Sequence, residues 1–194
     1  MDLEYSEGAT PLDVDEAQGL RLTHITTRSE LDVWEQRNID QAVVWAFGGR
    51  KRDILSEPFI RQLHKRMLGD VWSWAGDFRK TDKNIGVPKE RVGIELRKLC
   101  DDVKYWIEHE SFGADEIAAR FHHRLVFIHP FSNGNGRHAR LITDLLLEKE
   151  LGLTHFSWGG GSLNSSGECR DQYIAALRAA DRGDYTLLKV FVRS

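Results

Sequence analysis

Residues 129–140 read His-Pro-Phe-Ser-Asn-Gly-Asn-Gly-Arg-His-Ala-Arg. An imidazole ordinarily titrates at about 6.5, so His129 can accept a proton near neutral pH. Gly134-Asn135-Gly136 offers successive backbone N–H groups with no bulky side chain between them and an approaching anion. A helix starting there adds the positive end of its dipole. Arg137 and Arg140 are three apart, so on a helix they share a face, and guanidinium groups bind phosphate oxygens bidentately while keeping their charge. A base, an anion cradle and two phosphate clamps are what a protein needs to hold a nucleoside triphosphate and transfer part of it. Taken singly these features are weak, because Gly-x-Gly is more often a turn, a lone histidine is usually structural and paired arginines usually form a solvated face. Their combination within one short stretch points to chemistry.

The elements that must position this stretch are mostly helical. A helical pattern runs from Glu30 to about Phe47, with Val33, Trp34, Val44 and Trp45 among its apolar positions. Ser29 resembles its cap, with Asp32 at the third helical position, and Gly48-Gly49 stops it. Ser56 and Pro58 open a second helix carrying Phe59, Leu63 and Met67 at helical period. Beyond the aromatic stretch Val71–Gly76, residues 77–87 alternate and bend at Asp82-Lys83-Asn84, which predicts a short β-hairpin. Further helices are expected from Pro88 to about His109, from Asp115 to about Phe127, and from Gly134–Asn135 to about Lys149, before Gly152. Two more, at about Glu168–Ala180 and Tyr185–Val192, the second capped by Asp184, complete the set. The expected fold is all-α, a mainly helical bundle with one small β-hairpin flap. It comprises an N-terminal arm over residues 1–28 and one domain over 29–194.

Composition narrows the function. At 194 residues, 41% hydrophobic and 29% charged, the chain reads as one ordinary globular domain. A net charge of −3 without a basic block argues against general nucleic-acid binding, and Arg50-Lys51-Arg52 reads as a solvated loop. No apolar run is long enough to span a bilayer, and the acidic start is unlike a signal peptide. Cys100 and Cys169 fit neither a metal spacing nor a disulfide framework, so a reducing cytoplasm is the expected setting and Cys100 a buried thiol. His122-His123, with His129 and His138, invites a metal reading. Adjacent helical residues point about 100° apart, however, and no carboxylate or cysteine completes a ligand spacing. The Gly159–Gly161 run is not followed by Lys-Ser/Thr and reads as a loop, not a P-loop.

The motif resembles the signature of the Fic family, His-x-Phe-x-(Asp/Glu)-Gly-Asn-Gly-Arg-x-x-Arg. His129, Phe131, Gly134, Asn135, Gly136, Arg137 and Arg140 match position by position. Trp74-Ala75-Gly76 and Phe78-Arg79 resemble the lead into the family's flap, and Tyr173, Ala176-Leu177 and Gly183-Asp184 resemble its C-terminal helices. The N-terminal opening and the Asn-bearing motif look most like a bacterial subgroup called mobile mystery protein B.

The resemblance implies a protein adenylyltransferase that moves AMP from ATP to a Ser, Thr or Tyr hydroxyl of a target protein. His129 would be the base. Gly134, Asn135 and Gly136 would cradle the α- and β-phosphates, Arg137 would act on the β-phosphate as pyrophosphate leaves, and Arg140 would hold the γ-phosphate. The flap, Lys80, Thr81, Asp82, Lys83, Asn84, Ile85, Gly86 and Val87, would clamp the target by strand addition. Tyr173 and the Gly-rich loop are candidates to line the base pocket.

Two departures from the family pattern bear on mechanism. Asn133 stands where the family has a carboxylate that helps bind Mg²⁺, so Mg²⁺ use is expected to be weakened. The family's internal inhibitor, a glutamate in Ser/Thr-x-x-x-Glu-Gly/Asn, is not legible. Glu7-Gly8 has Leu3 in the Ser/Thr position, and Thr26 to Glu30 lacks the final Gly/Asn. An inhibitory partner protein, as in toxin–antitoxin pairs, is therefore expected. Other phosphotransfer on the same scaffold, as a kinase or in deAMPylation, and a catalytically weak nucleotide- or partner-binding module stay open.

Overall fold

The structure is a computed structural model and describes residues 13–49, 52–163 and 167–194. Among these residues the α-helices are α1 (Val14–Ala17), α2 (Arg28–Phe47), α3 (Glu57–Leu68), α4 (Val92–Glu108), α5 (Ala114–Ile128), α6 (Asn135–Lys149), α7 (Glu168–Ala180) and α8 (Thr186–Arg193). Short 3₁₀ turns precede α4 (Lys89–Arg91) and α7 (Trp158–Gly160). The expected helical architecture is what is found.

Helix α5 and helix α6 form the central hairpin, because each lends residues to two hydrophobic clusters. Ile117, Phe121, Leu125, Leu141, Ile142, Leu145 and Leu146 join the faces of α3 and α4 in the larger cluster. Ala118, Ala119 and Leu147 instead meet Tyr173, Ala176, Leu188 and Phe191 of α7 and α8. A helix buried on two sides carries apolar residues around most of its circumference, as the Leu141–Leu147 run does. The loop joining α5 to α6 therefore sits where the two clusters meet, and that loop is residues 129–134.

Two helix details correct the expectations. The cap of α2 is Thr27, not Ser29: Thr27 Oγ1 accepts from Glu30 N, and Glu30 Oε2 accepts from Thr27 N. This reciprocal capping box leaves Glu30 as a cap. The inward stripe of α2 is also rotated from the apolar one anticipated. Leu31, Glu35, Asn38, Ala42 and Ala46 are buried, while Val33 and Val44 are 65% and 76% exposed. Two polar side chains can face inward because both are hydrogen-bonded there. Asn38 takes Asp70 N and donates to Arg66 O, covering the end of α3. Arg52 lies over Trp45 and donates to three carbonyls at the end of α2 instead of reaching into solvent.

The flap is not a hairpin. Among the described residues no strand forms, and the one bridge is an isolated antiparallel contact of Leu20 with Trp72. The cause is Arg79, whose side chain is fully buried. Its Nη1 donates to Thr81 O at 2.9 Å and its Nη2 to Val87 O, so one guanidinium ties both legs of the segment. Asp82 Oδ1 takes Lys89 N, and Val87 N turns to Ile128 O. Residues 80–87 thus close as a loop around an arginine and dock on the end of α5.

Residues 13–27 lie against the same region. Trp74 Nε1 donates to Glu16 O, and Lys83 pairs with Asp13 and Glu16.

Candidate functional site

His129 ends α5 in the left-handed conformation (φ 54°, ψ 61°), and Pro130 cannot continue a helix. The chain reverses through Phe131–Gly134 and enters α6. Phe131 is fully buried and stacks on the His64 ring at 3.7 Å between centroids. Asn135 closes the loop from inside: its Oδ1 accepts from Phe131 N at 2.9 Å and its Nδ2 donates to Phe131 O at 2.8 Å. Its side chain is thus structural, and only its backbone N–H can serve an anion. Gly134 takes φ 76°, and a Cβ there would lie 2.6 Å from Leu68 Cδ1, so conformation and space both demand glycine.

His64 sets the height of the loop. Gly76 N donates to its Nδ1, so its proton sits on Nε2, which donates to Asn133 O at 3.0 Å. Burial, with His138 and Arg137 nearby, holds the ring well below the ordinary histidine range and keeps this neutral tautomer. His138, also buried and pushed down to about 4, engages Ile60 O at 3.0 Å.

The first-turn amides of α6 have no carbonyl of the same helix to bond, so Asn135, Gly136 and Arg137 present N–H groups at the loop. Gly134 N is engaged by Asn133 Oδ1 at 2.6 Å. A Cβ on Gly136 would touch only Arg140 Nη1, at 3.6 Å, so its missing side chain leaves the mouth of the cradle open and places Arg140 beside it. Arg137 Nη1 meets Glu35 Oε2 at 2.6 Å. Arg140, largely buried and pushed down by that burial, is hydrogen-bonded with Tyr173. Tyr173 OH in turn meets His122 Nε2 at 2.8 Å.

His129 is 5% exposed and its pKa is lowered to about 4, by burial first and the Arg79 charge second, with the Val126 carbonyl opposing. It is therefore neutral at pH 7 and a weaker base than an ordinary histidine. Arg79 Nε donates to its carbonyl at 2.7 Å, and Arg79 N to Pro130 O at 3.0 Å. Gly86 brings the flap close: a Cβ there would lie 2.8 Å from His129 Cβ.

His129, the α6 amides, Arg137, Arg140 and residues 80–87 are thus brought to one loop. His122 joins the site only through Tyr173, and His123 points away from it. His123 meets Asp181 at 2.8 Å and Tyr185 OH at 3.2 Å, and among the described residues no group of three His, Cys, Asp or Glu is placed to hold a metal ion. Glu35, His64 and the reach of Arg79 were not anticipated. Glu35 had one available signal, a polar residue on the 31-38-42 spacing of an otherwise inward stripe.

Residues 54–147 match the family model described as Fic/DOC family. "Protein adenylyltransferase fic-1" of Caenorhabditis elegans is 33% identical over 152 residues, which is 74% of this chain and 27% of the relative. "Protein adenylyltransferase Fic" of Drosophila grimshawi is 33% identical over 138 residues, 69% of this chain and 26% of the relative. This chain thus spans about a quarter of the length of these curated relatives. A solved fragment of C. elegans Fic-1 superposes with a TM-score of 0.67 at 27% identity, covering 91% of this chain and 51% of that one. Bartonella tribocorum BepC, solved with AMPPNP, also gives 0.67, at 16% identity, over 92% of this chain and 95% of that one. The loop geometry, the match over 54–147 and the shared helical fold place this chain in the Fic/DOC family.

Proposed function

We propose that the chain is a protein adenylyltransferase moving AMP from ATP to a Ser, Thr or Tyr hydroxyl of a target protein. The observation that carries this reading is the convergence of a neutral, buried His129 with the amide end of α6 and two arginines on one loop. The relatives named adenylyltransferases support the same reaction.

In this reading the amides of Asn135, Gly136 and Arg137 cradle the α- and β-phosphates. Arg137 draws on the β-phosphate and Arg140 on the γ-phosphate. His129 takes the hydroxyl proton as the hydroxyl oxygen attacks the α-phosphorus. The bond from that phosphorus to the bridging oxygen breaks, and pyrophosphate leaves with its electron pair, its growing charge met by Arg137. An imidazole lowered to about 4 is a weak base; the negative charge of a bound polyphosphate moves it back upward. The loop Lys80–Val87, with Ile85 43% exposed, holds the target segment beside His129.

Magnesium is not built in. Asn133 offers a neutral oxygen that already accepts from Gly134 N, and a hard divalent cation favours carboxylates. In this reading Mg²⁺ arrives as the counter-ion of the triphosphate. The same contact favours a second reading, a catalytically weak nucleotide-binding module, because the Gly134 amide, which the family pattern gives to the phosphates, is occupied by the chain's own side chain.

An inhibitory partner protein fits the capping role of Glu30, while Glu7-Gly8 lies outside the described residues. The cytoplasm is the proposed setting, and no described helix is long and apolar enough to cross a membrane.

Labelled ATP decides between the readings. Transfer of α- but not γ-phosphate label to lysate proteins, abolished by His129→Ala, is expected. Label from the γ-position indicates a kinase, and nucleotide binding without label indicates the module.

A further inference from the structure

Glu35 lies on α2, outside the 54–147 match, yet its carboxylate reaches the motif. It is 4% exposed. Oε1 accepts from Trp72 Nε1 at 2.6 Å and Oε2 from Arg137 Nη1 at 2.6 Å, so each oxygen has a strong donor. The contact with Arg137 spans 102 positions of sequence and uses one nitrogen of a fork that carries five N–H donors. The Arg137 side chain remains 21% exposed, so protein does not enclose it completely.

We propose that Glu35 is a positioning residue for the nucleotide polyphosphate: it grips Arg137 by one edge so that the remaining donors meet the β-phosphate. This rests on the nucleotide-site reading above. An unanchored arginine must surrender rotamer freedom when a phosphate arrives. One already held by Glu35, itself braced by the Trp72 indole, surrenders little. Holding through one nitrogen differs from blocking, in which the carboxylate occupies the donors that a phosphate needs.

The test compares binding of ADP and AMP by calorimetry on the full chain, which needs neither turnover nor a known target. The ratio of their affinities reports the β-phosphate. Glu35→Gln keeps the shape but leaves one acceptor for two donors, and is expected to reduce this ratio on the order of tenfold, with AMP affinity nearly unchanged. Glu35→Asp, which keeps the charge but shortens the reach, lowers the same ratio and serves where Glu35→Gln does not fold. Trp72→Phe removes the brace but leaves the Arg137 contact, and lowers the ratio less than Glu35→Gln does. In an Arg137→Gln background, Glu35→Gln adds no further loss.

A role in folding alone lowers the melting temperature of the Glu35 variants and leaves the ratio untouched, which overturns the proposal. A ratio that rises also overturns it, because Glu35 is then a competitor of phosphate. A wild-type chain that does not distinguish ADP from AMP refutes the nucleotide site itself, whereas a distinction preserved in Glu35→Gln refutes only the positioning role.

Discussion

Arg137 and Arg140 stand one helical turn apart on α6, and the family pattern treats them as a pair, but the molecule surrounds them differently. Arg137 is joined to the carboxylate of Glu35 on the side of α2 and α3, with a neutral His64 close enough to feel its charge. Arg140 points toward α7, meets a phenol and lies near Arg137 and Arg170, and its charge presses on His122. Asp144 also feels Arg140, but burial raises its own pKa to about 6, so that negative charge is only partly formed below neutrality. Arg137 is in direct contact with a carboxylate, whereas Arg140 meets a phenol. Spacing puts two cations on a face; tertiary neighbours decide what each of them is bonded to.

Replacing each arginine tests this contrast most directly. Arg137→Ala leaves a buried carboxylate with only the indole for company, and a loss of about 3–5 kcal/mol is expected in denaturant unfolding. Arg140→Ala removes a desolvated cation and is expected to stay within about 1 kcal/mol of wild type, while its affinity for ATP falls more than its affinity for ADP. Equal destabilisation by the two variants contradicts the comparison.

Acid is expected to act on both sides at once. His122 titrates at about 3, His129 and His138 at about 4, and His64 well below the ordinary value, all chiefly through burial. Each folded-state pKa lies below the unfolded value of about 6.5, so the unfolded chain binds more protons in that window. Stability is full above pH 6.5 and falls toward pH 4, by roughly 1.4 kcal/mol per pH unit for each histidine that must charge. Melting followed from pH 7.5 to 4.5 checks this, and a flat profile contradicts it.

Much of this was legible in the sequence. The helix starts at Ser56 and Asn135 and the stop before Gly48 follow from caps and glycine, and the motif followed from residue types at close spacing. Local alternation over 77–87 was not enough to make strands, because a buried Arg79 took the carbonyls that cross-strand pairing would have used. Glu35 was hidden because its partner is far along the chain and because inward helix positions are read as apolar. The cap of α2 slipped by two residues because Thr27 and Ser29 both suit the role, and only Thr27 has a glutamate three positions on.

The smallest effect expected is at Asn133. Asn133→Asp keeps an acceptor for Gly134 N and adds a charge beside the cradle, so Mg²⁺-dependent labelling should rise a few-fold. Unchanged or lower turnover at saturating Mg²⁺ argues against a metal role for this position.

Arg79 has a mechanical consequence. Because one side chain clasps the peptide carbonyl of His129 and both ends of the neighbouring loop, these three points move together. With His129 in the proposed role of base, a guest polypeptide that shifts the loop would drag the imidazole's own backbone with it, coupling arrival of the acceptor to alignment of the proton-abstracting nitrogen.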